Sequence, residues 1–232
     1  MSDPTSDRPE GTGDAATLDP AETLRLIREQ QAAARDAMEP DGRLLYGVWG
    51  LAWLIGYLCM WVSARDTGAP EVWAGGVFSG SIVGAMIFTI VHTTTRTAGT
   101  RGVSARVGVI YGWTWFLAFV ALGVMLGAMA DAGASPEVMA VAANGFASLI
   151  VGLMYIVGGL LFCANQMSVV GGWMLVTAVG AALAGMPHTY LVMAVAGGGG
   201  FLVMVAVEQY LRRRRGSSEP ASARAEGGGL GA

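Results

Sequence analysis

Lysine is absent from this chain, and histidine and cysteine occur only twice each. Without lysine there is no G-x-x-x-x-G-K-[ST] phosphate loop, so the chain is no ATPase subunit in its own right. His92 and His188 stand at the ends of different apolar runs, and neither has metal-ligand spacing to a cysteine or carboxylate. No serine, histidine and aspartate fall on one face for nucleophilic catalysis. The expectation is a protein that is not an enzyme and needs no cofactor and no metal. Cys59 and Cys163 lie inside or at the edge of apolar runs. They read as small hydrophobes rather than as a disulfide pair. Charge is scarce too, at 13% of residues, where a soluble domain carries about 25%. The formal net charge of −3 is too small to imply a nucleic-acid partner. All fourteen basic residues are arginine. With so much alanine, glycine and valine, this reads as the composition bias of a GC-rich bacterial genome rather than as chemistry.

What is present is apolar: 53% of the 232 residues are hydrophobic, and the mean hydropathy is +0.52. The charges gather in the two ends and one internal loop. Long uncharged runs between them fill residues 44–211. About 20 apolar residues span the hydrocarbon of a bilayer as a helix, and the spacing predicts six such helices. They are placed at Leu44–Ala64, Val72–His92, Arg106–Ala130, Glu137–Cys163, Ser168–Ala184 and His188–Leu211. The fold class is therefore an all-α integral membrane bundle. The last two connections are short enough to force tight antiparallel hairpins.

Outside the bundle, residues 1–18 are rich in Asp, Ser, Thr, Gly and Pro and are expected to be a disordered tail. They hold no apolar core of a cleavable signal peptide, and Ser2 stands where myristoylation needs glycine. Residues 19–39 read as a short cytoplasmic amphipathic helix. Asp19 is its N-cap, Pro20 its first residue and Glu22 the capping-box partner, and it stops before Pro40. Leu24, Ile27, Ala34 and Met38 share one face, and Arg25–Glu29 and Arg35–Glu39 are i,i+4 pairs. The face suits a membrane surface or the underside of the bundle better than a partner helix. Residues 212–232 read as a basic segment followed by a disordered tail.

Arginine placement orients the bundle. With the N-terminus inside, Arg28, Arg35, Arg43, Arg96, Arg101, Arg106, Arg212, Arg213, Arg214 and Arg215 lie at cytoplasmic ends, against Arg65 alone outside. The expectation is a multi-pass plasma-membrane protein with both termini cytoplasmic. Tyr46, Trp49, Trp61, Trp73, Tyr190 and Tyr210 then fall near span ends, where interfacial rings belong. Arg212 to Arg215 serve topology, with anionic lipid headgroups as their further partner.

Glycine patterns carry what remains. Gly76, Gly80 and Gly84, and Gly108 and Gly112, are spaced to let helix backbones approach closely in lipid. Packing within the chain is the plain explanation; a homo-oligomer face on the second span is the sharper one. Gly197, Gly198, Gly199 and Gly200 weaken the sixth span near its middle. Either they form a smooth face against a bulky tryptophan, or the helix is discontinuous and its free backbone groups hold a solute. Asn144, two turns inside the fourth span, is the one strongly polar side chain at depth and is expected to bond across to another helix. No charged residue lies near any helix centre, which argues against an ion-coupled pump. Phe78, Ile82, Val83, Gly84 and Met86 align without gaps onto Phe146, Ile150, Val151, Gly152 and Met154. The match reads either as a repeated helical hairpin or as coincidence in biased membrane sequence.

The segments Asp41-Gly42-Arg43-Leu44-Leu45-Tyr46-Gly47-Val48-Trp49-Gly50, Tyr111-Gly112-Trp113 and Tyr190-Leu191-Val192-Met193-Ala194, the last leading into Gly197, carry a resemblance. Over residues 20–215 the chain resembles small actinobacterial six-span membrane proteins of unknown function, loosely labelled transporter or permease. The resemblance implies kinship and no particular substrate. Two functions are in play: a small permease-like protein, or a non-transporting accessory protein that binds a membrane or cytoplasmic partner.

Overall fold

The computed structural model describes residues 20–38, 41–96 and 103–227. Every regular element among the described residues is helical, with no strand among them. The chain divides into two units, Met1–Glu39 and Pro40–Ala232.

In the first unit, α1 runs Pro20–Met38, ending where Pro40 forbids its continuation. Arg25 and Glu29 pair at 3.3 Å across one turn, both largely exposed. The expected Arg35–Glu39 pair and the tail 1–18 lie outside the described residues.

The second unit holds α2 (Gly42–Ala64), α3 (Val72–Arg96), α4 (Val103–Asp131), α5 (Pro136–Leu161) and α6 (Asn165–Ala184). It closes with α7 (His188–Val192), a π-helical turn (Met193–Gly198) and α8 (Gly199–Gly227). Local chemistry sets the ends. The Asp41 carboxylate caps α2 by accepting from the Arg43 amide at 3.1 Å. The Ser135 hydroxyl accepts from the Val138 amide, with Pro136 at the first position of α5. Gly133 (φ +85°) and Gly185 (φ +68°) take left-handed turns that a side chain would resist.

Six helices are long and apolar enough to cross a membrane: Gly42–Ala64, Val72–Arg96, Ala105–Asp131, Pro136–Leu161, Asn165–Ala184 and His188–Arg214. This is the architecture of a multi-pass membrane protein. The last of the six is one span in which α7, the π turn and the first part of α8 run on as a single rod. The helix also continues past Leu211 to Gly227, where a tail was expected. The Ala, Arg and Glu residues of that stretch favour helix, and they carry it beyond the apolar run.

The core lies between α2, α5, α6 and the π turn with its flanking helices. Trp53, Met174, Met193 and Phe201 are almost wholly enclosed there. A column of rings threads it. Tyr46 stacks near Phe201 (6.3 Å), Trp53 meets Phe201 edge-on (5.9 Å), and Tyr57 lies against Phe78 (4.7 Å). In lipid such packing gains dispersion energy rather than water exclusion. By contrast α3 packs mainly on α2, and α4 mainly on α5, so both present long apolar faces outward.

Two sequence expectations change here. Tyr46 and Tyr190 are buried in the core, not set at a lipid interface. Both lie on faces turned toward the bundle, while Trp73 and Tyr210 do stay exposed. Gly76, Gly80, Gly84, Gly108 and Gly112 do not pack helices within the chain, since a Cβ added at any of them would meet nothing within 4 Å. Their helices turn these faces away from α2 and α5. Close approach falls elsewhere, to Gly152 of α5 and Gly171 of α6. A Cβ on Gly171 would lie 2.6 Å from the Gly152 carbonyl oxygen.

Candidate functional site

Near one end of the bundle, α2, α3, α5 and α7 leave a cavity of about 250 Å³ between them. Its wall is built from Tyr57, Met60, Phe78, Asn144, Tyr190 and three alanines of α5. The alanines Ala140, Ala143 and Ala147 fall with Asn144 on one helix face at spacings of three and four. They create the room, because any longer side chain there would fill it.

Asn144 does not reach across to another helix as expected. Its Nδ2 donates to the Ala140 carbonyl one turn back, at 2.7 Å, a bond that local geometry supplies first. That leaves Oδ1 and the second Nδ2 hydrogen without partners among the described residues. Tyr57 and Tyr190 stand side by side, their rings stacked at 6.4 Å, and neither hydroxyl bonds to a described residue. Three residues with unused hydrogen-bonding capacity therefore line the cavity, and no charged side chain among the described residues does.

Tyr190 also connects the cavity to the discontinuity in the sixth span. It sits on α7, immediately before the π turn Met193–Gly198. Such turns carry one residue more than the α-helical ladder needs and recur at functional sites. Gly197 and Gly198 close that turn and Gly199 and Gly200 open α8, and three of the four meet different neighbours. An added Cβ would strike the Trp53 ring at Gly197 (2.9 Å), the α2 backbone at Gly198 (2.6 Å from the Leu54 amide nitrogen) and the Trp173 indole at Gly200. At Gly199 alone it would meet nothing. The Trp173 Nε1 donates to the Ala196 carbonyl at 2.8 Å. The span is thus bulged rather than unwound, and its glycines serve close contact more than exposure. Beside it, Trp53 Nε1 and Thr177 Oγ1 are buried without hydrogen-bond partners.

At the opposite end, a polar latch ties α2, α3 and α8. The Arg43 guanidinium grips Asp41 with two bonds (3.1 and 2.8 Å) and donates to Gln209 Oε1. Arg212 reaches Glu208 at 3.1 Å and Asp41 at 3.7 Å. His92 Nε2 accepts from the Asp41 amide at 3.2 Å. The Arg43 hydrogen bond, against the opposing effect of burial, holds the Asp41 carboxyl below its usual range. Of the basic cluster, Arg212 belongs to this latch and Arg214 lies over the Tyr210 ring at 4.8 Å; the Arg215 side chain lies outside the described residues.

The sequence singled out Asn144 and the glycine run, and the structure gives them different places: Asn144 in the cavity wall, the glycines behind Tyr190. It missed Tyr57, Tyr190 and the latch. A signal for the first existed: Tyr46, Trp49, Trp53, Tyr57 and Trp61 recur at spacings of three and four, marking one inward face of α2. The proposed hairpin repeat gains nothing, for Gly84 and Met86 are exposed whereas Gly152 and Met154 are buried. No group of three or more histidine, cysteine or carboxylate side chains suited to a metal occurs among the described residues. Comparison with protein-family models, with curated proteins and with solved structures finds no match to this chain.

Proposed function

We propose that this is a small permease-like protein of the plasma membrane that admits a solute to the cavity between α2, α3, α5 and α7. The observation that carries the reading is the meeting of two features at Tyr190. One is an uncharged cavity with unpartnered polar groups, and the other is a bulged span directly behind it. Solute sites in transporters are commonly built where a membrane helix departs from regular geometry. Beyond Tyr57 lie the enclosed rings of Trp53 (5.4 Å from Tyr57) and Phe201; in this reading passage past them requires movement, and the π turn is the element least committed to one register. The arginine bias favours cytoplasmic termini, which sets the cavity at the outer end. The resemblance to six-span proteins loosely labelled permease agrees with this reading.

The test is flux through liposomes carrying the purified protein, across a panel of small neutral solutes. Ala147→Leu, which fills the cavity from α5, is expected to abolish flux for the solute that responds. Flux that survives this substitution rules the cavity out as the route.

A second reading rests on α1. Leu24, Leu26 and Ile27 are exposed on that helix, and an accessory role would use them to hold a partner or a second copy of the chain. Deleting residues 1–40 then removes a co-purifying partner; an unchanged set of partners ends that reading.

A further inference from the structure

The cavity's chemistry narrows the solute beyond what the permease reading requires, although the narrowing rests on that reading. Three properties of the wall decide it. The first is charge: no acidic or basic side chain lines the space. An ion entering it would shed its water with no counter-charge to replace it. The second is polarity of a particular sense. Asn144 has given one of its two amide N–H bonds to the Ala140 carbonyl, so one N–H remains to it, and its Oδ1 can be satisfied only by a donor. The Tyr57 and Tyr190 hydroxyls can both donate and accept. A solute that satisfies all three must bring at least one hydrogen-bond donor. The third is size. About 250 Å³, set against roughly 30 Å³ for each water in the liquid, accommodates on the order of eight non-hydrogen atoms. A dinucleotide is far larger than that. Met60, Phe78 and the three alanines make the remainder of the wall apolar.

We propose that the cavity between Tyr57, Asn144 and Tyr190 binds a small neutral amphiphile carrying a hydroxyl or amide N–H. Its donor meets Asn144 Oδ1 and its apolar part lies along Met60, Phe78 and Ala147. The polar groups fix orientation, and the alanine face sets the length.

The experiment uses the full-length chain in lipid nanodiscs and four probes of nearly equal size: benzyl alcohol, its isomer anisole, benzylammonium and benzoate. Binding is read as the saturable part of the change in intrinsic fluorescence, with empty nanodiscs subtracted. Benzyl alcohol is expected to bind saturably and anisole about tenfold more weakly, since the ether leaves Asn144 Oδ1 without a donor. The two charged probes are expected to show no saturable binding. Asn144→Leu should bring the alcohol and the ether to within about twofold of each other, as the donor then has no acceptor to meet. Tyr57→Phe, which removes one oxygen and keeps the ring, should weaken benzyl alcohol, with anisole still the weaker of the two. Tighter binding of benzylammonium or benzoate than of benzyl alcohol overturns the solute class but leaves the cavity as a site. Equal binding of alcohol and ether in the unaltered protein overturns the class as well. Absence of saturable binding by any probe overturns both the class and the permease reading beneath it.

Discussion

Two sets of glycines do unlike things in this molecule. On α5, α6 and the sixth span, Gly152, Gly171 and Gly198 meet other backbones so closely that a methyl group has no place. On α3 and α4, Gly76, Gly80, Gly84, Gly108 and Gly112 face open space. The spacing of small residues therefore tells where a backbone could approach, and only the partner's position tells where one does. The inner set brings α5 against α6 and the sixth span against α2. The outer set lies on helices that bury little of their surface inside the chain.

The sharpest way to break this contrast is a methyl group at Gly171. Its Cβ would lie 2.6 Å from the Gly152 carbonyl oxygen and 2.8 Å from the Ile156 amide nitrogen. Backbone cannot move aside as a side chain can, so Gly171→Ala should cost upward of the roughly 1–3 kcal/mol of ordinary overpacking, read as lost thermal stability in detergent. Gly198→Ala, crowded by Leu54 and Gly50 of α2, should behave alike. A weaker effect is expected from Trp173→Phe. It removes the Trp173–Ala196 hydrogen bond, worth about 1 kcal/mol, and should speed amide exchange along the π turn while the rest of α6 stays protected.

The latch supplies a pH-dependent comparison. The Asp41 carboxyl titrates below its usual value of 3.8, chiefly through its hydrogen bond from Arg43. A carboxyl depressed in the folded state adds stability that is complete above its unfolded value and is lost as pH falls through the folded one. Melting temperature should therefore drop below about pH 4 more steeply in the unaltered protein than in Asp41→Asn, which lacks that contribution throughout. At neutral pH the asparagine variant should melt lower, by less than Gly171→Ala. The smallest effect belongs to the outer glycines. Gly80→Ala should leave stability unchanged or raise it by up to about 1 kcal/mol through helix propensity, and a loss comparable to Gly171→Ala would place a second copy of the chain against α3.

The bilayer's own demands decide how much of this is readable from the sequence. Span limits came out within a few residues, because some twenty uncharged apolar residues are what a hydrocarbon layer requires and nothing else in the chain imitates it. Burial was less legible. Tyr46 and Tyr190 lie near span ends and so resemble interfacial rings, but their helix faces, not their depth, decide that they pack against Phe201 and Tyr57. The latch was out of reach, since Arg43 and Gln209 are separated by 166 positions and no local pattern pairs them. Asn144 was found by its rarity at depth. Its missing partner was not, because a bond to its own helix cannot be told from a bond across the bundle by composition. The glycine run announced a weak point in the sixth span, while Met193 to Ala196, with which the bulge begins, carry no composition of their own.

The central claim is that the cavity opens at one end of the bundle and is sealed from the other by the enclosed rings around Trp53. Single-cysteine labelling tests it most directly, in a chain whose Cys59 and Cys163 are replaced by alanine and which retains its melting temperature. In intact cells, a small membrane-impermeant thiol reagent should label Asn144→Cys and leave Met174→Cys untouched, since Met174 is fully enclosed in the core. Labelling of Met174→Cys with Asn144→Cys silent would contradict the account.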